Sequence, residues 1–520
     1  MAYIYYKHEN IGRCLCDRRR SVRMKAVVTG NEMKAIDTYT IQEIGIPSLV
    51  LMERAALSMV CRMKERIDRA DRILCICGAG NNGGDGVAVA RILFGQGYSA
   101  AIYMAGNPEK WTEETKKQIQ IARNVGVPEY NELDLTHIRV LVDGLFGIGL
   151  SKTVREPYHT LIEKVNQWRG RRKERQVWAV DVPSGLSSDT GQPLGCVLKA
   201  DYTVTFGYMK RGMILYPGRE LAGKCFVENI GFPGKSLQVH PSAGFTCHVQ
   251  DFEQLPKRKN DSNKGTYGKI LVIAGSKNMS GAAYFAGRSA FVVGAGLVRI
   301  LTPEANRVIL QSQLPQAMIS VWEETDRDSL ANMLDWADTL VIGPGIGTSE
   351  IMAQRLKSVF AGSQCPIVLD ADGLNLLAEH EEWYSLLNGR TILTPHMGEM
   401  SRLTGCSIDE LKADRGKAAL KFARERQIIC VLKDSSTVVS DGKHLYFNQT
   451  GNHGMATGGS GDVLAGVIGG LSGAGEGLFK AAYMGVFLHG SAGDAAAARF
   501  GFRGMTSVEI IEGLIEILKN

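Results

Sequence analysis

The sequence predicts an α/β protein of two layered domains, each a doubly wound, mainly parallel sheet covered by helices. Three observations carry this. Short apolar runs alternate with helix-spaced segments in both halves of the chain. Those runs are apolar nearly throughout, as strands buried on both faces must be. The chain has 520 residues, more than one hydrophobic core commonly supports. Composition changes at 232–266, where FPGKS, HPSAG and KRKNDSNKG read as a linker. The expected division is a disordered extension at 1–23, a first domain at 24–240 and a second at 241–520.

Between Asn31 and Arg66 the apolar residues Met33, Ile36, Leu49, Met52, Ala55, Ala56 and Met59 keep helical spacing, broken at Gly45-Ile46-Pro47, so two helices are expected. A strand at 73–78, a helix from about 86 to 95, a strand at 100–105 and a helix at 112–125 follow. Then come a strand at 139–147, a helix at 156–168 and strands at 177–185 and 201–207. The second half restarts with a strand at 269–276 and a small-residue helix at 280–294. Strands at 296–302, 339–345, 366–373, 391–396 and 428–434 and a further apolar run at 436–448 precede a glycine loop. Ala/Gly-rich helices from Asp462 to Phe500 close the pattern, and no sequence repeat relates the halves.

Composition narrows the function. A hydrophobic share of 44% and a charged share of 22% are those of a globular chain. The net charge of +6 forms no basic stripe, so no nucleic-acid partner is expected. The 11 cysteines include no CxxC pair, and Cys75 and Cys77 lie in the strand-like ILCIC as buried thiols, which suits a reducing compartment. No apolar run reaches membrane-spanning length and no secretory signal opens the chain, so a soluble, cytoplasmic protein is expected. The apolar helices around 481–500 offer a face for a homo-oligomer.

GAGNNGGDG at 78–86 follows a strand and opens a helix, and its glycines let main-chain N–H groups approach an anion. A tight turn alone would not explain why Asn81, Asn82 and Asp85 are interleaved with them. Asp143, before GLFGIGLSKT, and Asp181, in DVPSG, end two further strands at the edge where open α/β sheets bind ligands. Spacing leaves each of these carboxylates open as a turn cap, a cation ligand or a proton carrier.

Together these three motifs resemble the YjeF N-terminal family, which contains epimerases of hydrated NAD(P)H, over about 24–235. The resemblance implies a Rossmann-like domain that interconverts the R and S hydrates at C6 of the nicotinamide ring. It implies that Asn81, Asn82, Gly83, Gly84 and Asp85 contact the hydrated dinucleotide. Gly147, Ile148, Gly149, Leu150, Ser151, Lys152 and Thr153 would do the same. It further implies K⁺ held by Asn82, Asp143 and Ser184, with Asp181 catalytic at the reacting end.

In the second half NHGMATGGSGDVLAG at 452–466 places four glycines before a helix, a cradle for phosphate that ends in a carboxylate. A capping role accounts poorly for Asp462, since a carboxylate beside phosphates is unfavourable unless a cation or a proton transfer uses it. Without GK[ST] the run is no Walker loop. GSKNMSGAA, GAGLV, GPGIG, LDADGLN, TPHMGEMSRL and LKDSSTVV mostly end strands and mark one rim. His396 and Glu399 have a metal-ligand spacing but no third ligand nearby. Asp370 and Asp372 read as a magnesium pair or as turn caps.

This set resembles the NAD(P)H-hydrate dehydratases of the ribokinase-like superfamily, over about 250–520, and the fusion of both halves resembles the bifunctional repair enzymes for hydrated NADH and NADPH (NADHX and NADPHX). It implies ADP as co-substrate with Mg²⁺, bound by Lys433, Asp434, Ser435, Ser436 and Thr437 and by Asn452, Thr457, Gly458, Gly459, Ser460 and Gly461. Ala282, Gly347, His396 and Asp462 would meet the hydrate, with Asp462 also catalytic. Where that family has Lys-Gly this chain has Lys433-Asp434, and a carboxylate there is expected to weaken nucleotide binding or alter its choice. Two rivals remain. A small-molecule kinase would leave the first half unexplained, and a non-catalytic scaffold would leave the intact Asn82, Asp143, Asp181 and Ser184 unexplained.

Overall fold

The computed structural model describes residues 25–255, 258–387 and 389–519, so the expected extension at 1–23 lies outside the described residues. The first sheet has seven strands, all parallel: in spatial order Glu129–Tyr130, Ser99–Met104, Arg72–Cys77, Val140–Gly144, Gln176–Val180, Tyr202–Phe206 and Lys224–Glu228. The order reverses between Arg72–Cys77 and Val140–Gly144. That reversal opens a crevice at their carboxyl ends, where the first two glycine motifs sit.

The helices Gly30–Gln42 and Ser48–Lys64 match the sequence reading, whereas the next, Asn81–Gly95, starts five residues earlier than expected. The glycine run therefore forms its first turns. A Cβ on Gly83 would lie 1.9 Å from the carbonyl oxygen of Gly78, and one on Gly86 2.9 Å from Cys77 Sγ. Glycine here lets the helix settle directly on its strand. One face of the sheet buries Met59, Val87 and Trp178 and the other Leu74, Leu141 and Ile162. Cys75 and Cys77 are buried as expected, and desolvation raises both thiols.

The second sheet has twelve strands. Met318–Val321, Leu297–Thr302, Lys269–Ile273, Thr339–Ile342, Ile367–Leu369, Thr391–Leu393 and Ile429–Leu432 run parallel in that order. Val438–Ser440 and Leu445–Phe447 continue it antiparallel. Gly244–Thr246, Lys25–Val28 and Met209–Lys210 then complete the edge, with Val27 opposite Met209 and Val28 opposite Lys210. Strands from the first half thus extend the sheet of the second. The composition shift at 232–266 does not mark a free linker, for it includes the helix Gly234–Val239 and the strand Gly244–Thr246.

Side chains also tie the halves. Arg415 Nη1 donates to the carbonyl of Tyr216 at 2.8 Å, Ser436 Oγ to that of Ile214 at 2.7 Å, and Arg219 Nη2 to that of Gln449 at 3.0 Å. The long helix Leu478–Gly504 buries Met484, Phe487 and Leu488 in the core of its own chain, between helices Ser460–Gly473 and Ser507–Ile517, and leaves Phe500 and Phe502 exposed near its end. No helix among the described residues is long and apolar enough to cross a membrane.

Candidate functional sites

At the switch point of the first sheet lies a cavity of about 470 Å³. Asn81, Asn82, Asp85, Gly147, Ile148, Gly149, Leu150 and Asp181 line it, together with Asp37 and Lys210. Ser151, Lys152 and Thr153 are exposed and do not line it. Gly83 and Gly84 are buried packing positions, Gly84 beneath the Met52 methyl and the Thr115 hydroxyl. They shape the helix start rather than the cavity wall.

Asp181 sits at φ +64°, a left-handed conformation that disfavours any side chain by about 1–3 kcal/mol. Hydrogen bonds hold it there. Its N–H donates to Val204 O at 2.8 Å, and its Oδ1 accepts from Lys210 Nζ at 2.5 Å, Thr205 Oγ1 at 2.9 Å and Phe206 N at 3.2 Å. Burial raises the carboxyl groups of Asp37 and Asp85, and the charge of Asp181 raises both further. The cavity therefore combines one ion-paired carboxylate with two carboxyls biased toward holding a proton.

Beside it Asp143 is fully buried. Ser184 Oγ donates to its Oδ1 at 2.6 Å and Ser184 N to its Oδ2 at 2.8 Å, while Leu145 N reaches Oδ1 at 3.2 Å. Burial outweighs these bonds and pushes the carboxyl up to about 6, and nothing cationic contributes to its electrostatics. Asn82 Nδ2 is buried without a hydrogen-bond partner among the described residues, and Asn82 Oδ1 lies against Gly147, 3.0 Å from where a Cβ would stand. The Asp143 carboxylate, the Ser184 hydroxyl and Asn82 Oδ1 are the oxygens here that could hold a cation.

In the second half, loops after four successive parallel strands meet the N-terminus of helix Ser460–Gly473. Lys433 Nζ binds Asp370 Oδ1 at 2.6 Å, and Thr394 Oγ1 donates to the same oxygen at 2.7 Å. Burial opposes the Lys433 charge, but Asp370 and Glu399 outweigh it and raise its pKa. A Cβ on Gly461 would lie 3.5 Å from Lys433 Nζ and 3.6 Å from Asp370 Oδ2, so the glycine loop passes close over this pair. Burial, then Asp370, pushes Asp462 up to about 7 against the pull of Lys433.

His396 and Glu399 form no metal pair. They form a capping box, with His396 Nδ1 accepting from Gly398 N at 2.9 Å and Glu399 Oε2 accepting from His396 N at 2.7 Å. Asp372 likewise accepts from Gly347 N at 2.9 Å, and among the described residues no group of three metal-ligating side chains occurs. An isolated bridge joins His396 to Lys433, and Ala282 Cβ would stand 3.0 Å from a Cβ on Gly345, so the loops expected to meet the hydrate share one rim.

Of the nucleotide-loop residues, Ser435 is exposed, Ser436 is buried on Ile214 and Thr437 Oγ1 donates to Asp434 O at 3.4 Å. Asp434 does not present a free charge to the rim, because its Oδ2 pairs with Arg415 Nε at 2.6 Å. Asn452 is anchored by donating to Gly493 O at 2.9 Å, and Gly458 O accepts from Ser507 Oγ at 2.7 Å. Gly459 caps the helix at φ +88° with Ser460 next, and Thr457 N donates to Met455 O at 2.9 Å. Lys210, Asp37 and the Glu399–Lys433 proximity were not read from the sequence, because each depends on a partner far along the chain.

The family profile described as NAD(P)H-hydrate dehydratase matches residues 270–516, and that described as YjeF-related protein N-terminus matches residues 48–212. The bifunctional NAD(P)H-hydrate repair enzyme of Thermofilum pendens is 36% identical over 94% of this chain and 95% of its own length. That of Moorella thermoacetica is 36% identical over 95% and 97% respectively. A solved ADP/ATP-dependent NAD(P)H-hydrate dehydratase from Bacillus subtilis, 30% identical, covers 52% of this chain and 96% of its own, with a TM-score of 0.46.

Proposed function

The chain belongs to the family of bifunctional NAD(P)H-hydrate repair enzymes, and from that premise we propose how its two sites divide the repair. The first half epimerises the R and S hydrates of NADH and NADPH at C6. The second dehydrates the S form, taking ADP as co-substrate and releasing the reduced cofactor, AMP and phosphate. The N-terminal site makes the whole hydrate pool available to a dehydratase that accepts one epimer.

The position of Asp462 carries the second step. Water added across the 5,6 double bond leaves a hydroxyl that departs poorly. The carboxylate at the start of helix Ser460–Gly473, raised to about 7, takes that hydroxyl's proton as its oxygen attacks the terminal phosphorus of ADP. AMP leaves. Loss of phosphate from C6 and a proton from C5 then restores the double bond. Lys433 and the main-chain N–H groups of Gly459 to Gly461 offset the charge that develops on the phosphoryl oxygens.

Asp370 is already paired with Lys433, so Mg²⁺ would be held mainly by the nucleotide's phosphates and would supply further charge neutralisation there. In the first half Asn82 Oδ1, Asp143 and Ser184 would hold K⁺, which supplies the positive charge that buried Asp143 lacks. Asp181 takes the proton of the C6 hydroxyl as the C6–N1 bond breaks to an aldehyde, its electron pair passing to N1 and the conjugated carboxamide; after rotation N1 re-adds to the other face of C6 and Asp181 returns the proton to the oxygen.

The test uses the full chain with separated R and S hydrates of NADPH and follows recovery of reduced-nicotinamide absorbance with ADP or ATP. Asp462→Asn should slow dehydration of the S form by about 10³-fold. Near-wild-type turnover would refute the role of Asp462, and nucleotide consumption only with a sugar or vitamin would favour a kinase.

A further inference from the structure

We propose that Lys210 is the positioning residue of the first site: with Thr205 it pins one oxygen of Asp181 so that the other faces C6 of the hydrate. This rests on the epimerase reading of the cavity. An ammonium group has three protons to donate. Those of Lys210 meet Asp181 Oδ1 at 2.5 Å, Thr205 Oγ1 at 2.8 Å and Phe206 O at 2.9 Å, which leaves none for a substrate. The side chain is 1% exposed and lies in a strand whose register sets Lys210 opposite Val28. It is therefore a fixed support rather than a group that reaches toward the ligand.

Asp181 shows the complementary pattern. Three donors converge on Oδ1, and among the described residues none donates to Oδ2. Strained backbone at φ +64° adds to the constraint, because this conformation persists only where its surroundings fix it. The other charged groups turned toward Asp181 are Asp37, from helix Gly30–Gln42, and Asp85, from helix Asn81–Gly95. Both are carboxyls, so Lys210 is the cation among the charged groups that line the cavity.

The experiment separates R and S hydrates by chromatography with nucleotide omitted, so that only epimerisation proceeds, and then measures dehydration of S hydrate in the same preparation. Lys210→Met should lower the epimerase kcat by about 100-fold, the scale expected when a reacting group is misplaced by an ångström. KM should stay within about threefold, since all three ammonium protons are engaged within the protein. Dehydration of S hydrate should be unchanged.

An unaltered epimerase kcat, or a raised KM with kcat retained, would overturn the proposal. If Lys210→Met also loses dehydration, its fold is disturbed and Thr205→Val decides: a kcat drop of several-fold supports the proposal and an unchanged kcat overturns it. Full epimerase activity in Asp181→Asn would instead refute the assignment of Asp181, whatever the lysine variant does.

Discussion

Asp434 delivers its charge to Arg415, which is 5% exposed and whose guanidinium also donates to the carbonyls of Tyr216 and Lys412. Removing one partner of a buried pair leaves the other uncompensated. Asp434→Asn should therefore lower unfolding stability by about 3 kcal/mol, measured by denaturant titration, while the KM for ADP changes little. Asp143 makes a second residue-scale prediction. Its folded pKa, about 6, lies above that of an unfolded aspartate, so it stabilises the fold below the unfolded value and loses that contribution as pH rises through 6. K⁺ bound at this carboxylate would reverse the loss. KCl, against matched tetramethylammonium chloride, should raise the melting temperature at pH 7.5 and have little effect at pH 5; equal effects at both would remove K⁺ from Asp143. The sequence made Asp143 and Asp181 visible because each ends a strand within a motif. Lys210 was invisible, since a lysine in MKRG reads as surface charge until the carboxylate 29 residues earlier is brought against it.

Helix Asn81–Gly95 and its strand form the element on which the first site depends. Its glycines were legible as a phosphate-type loop, but Gly83 serves contact between backbones and Gly86 contact with the Cys77 side chain. A methyl group on Gly83 cannot be accommodated 1.9 Å from Gly78 O without moving the helix. Gly83→Ala should cost roughly 3 kcal/mol or more and depress epimerisation far more than dehydration, measured side by side on the full chain. Equal losses of both activities would contradict this local role. Buried parallel strands such as Arg72–Cys77 and Lys269–Ile273 were readable because every residue after the first is apolar. Lys25–Val28, Met209–Lys210 and Gly244–Thr246 were not: segments of two to four residues at a sheet edge carry no periodicity to detect.

For the whole molecule, the shared twelve-stranded sheet means that a cut near residue 240 does not release an intact dehydratase domain. A fragment from 241 to 520 would leave Gly244–Thr246 without its partner Lys25–Val28 and bare the contacts of Ile214 and Tyr216 with Ser436 and Arg415. It should melt lower than the full chain and self-associate through the open edge, measured by calorimetry and light scattering. A monomeric fragment as stable as its parent would show that the edge strands contribute nothing. The same sheet also orders events during synthesis. The seven strands of the first domain are complete once residue 228 has left the ribosome, but Met209–Lys210 lies beside Lys25–Val28, that strand beside Gly244–Thr246, and that one beside Leu445–Phe447. The edge that carries Lys210 is therefore continuous with some of the latest residues to be made, and its outer strands gain their last neighbour only when Leu445–Phe447 is synthesised.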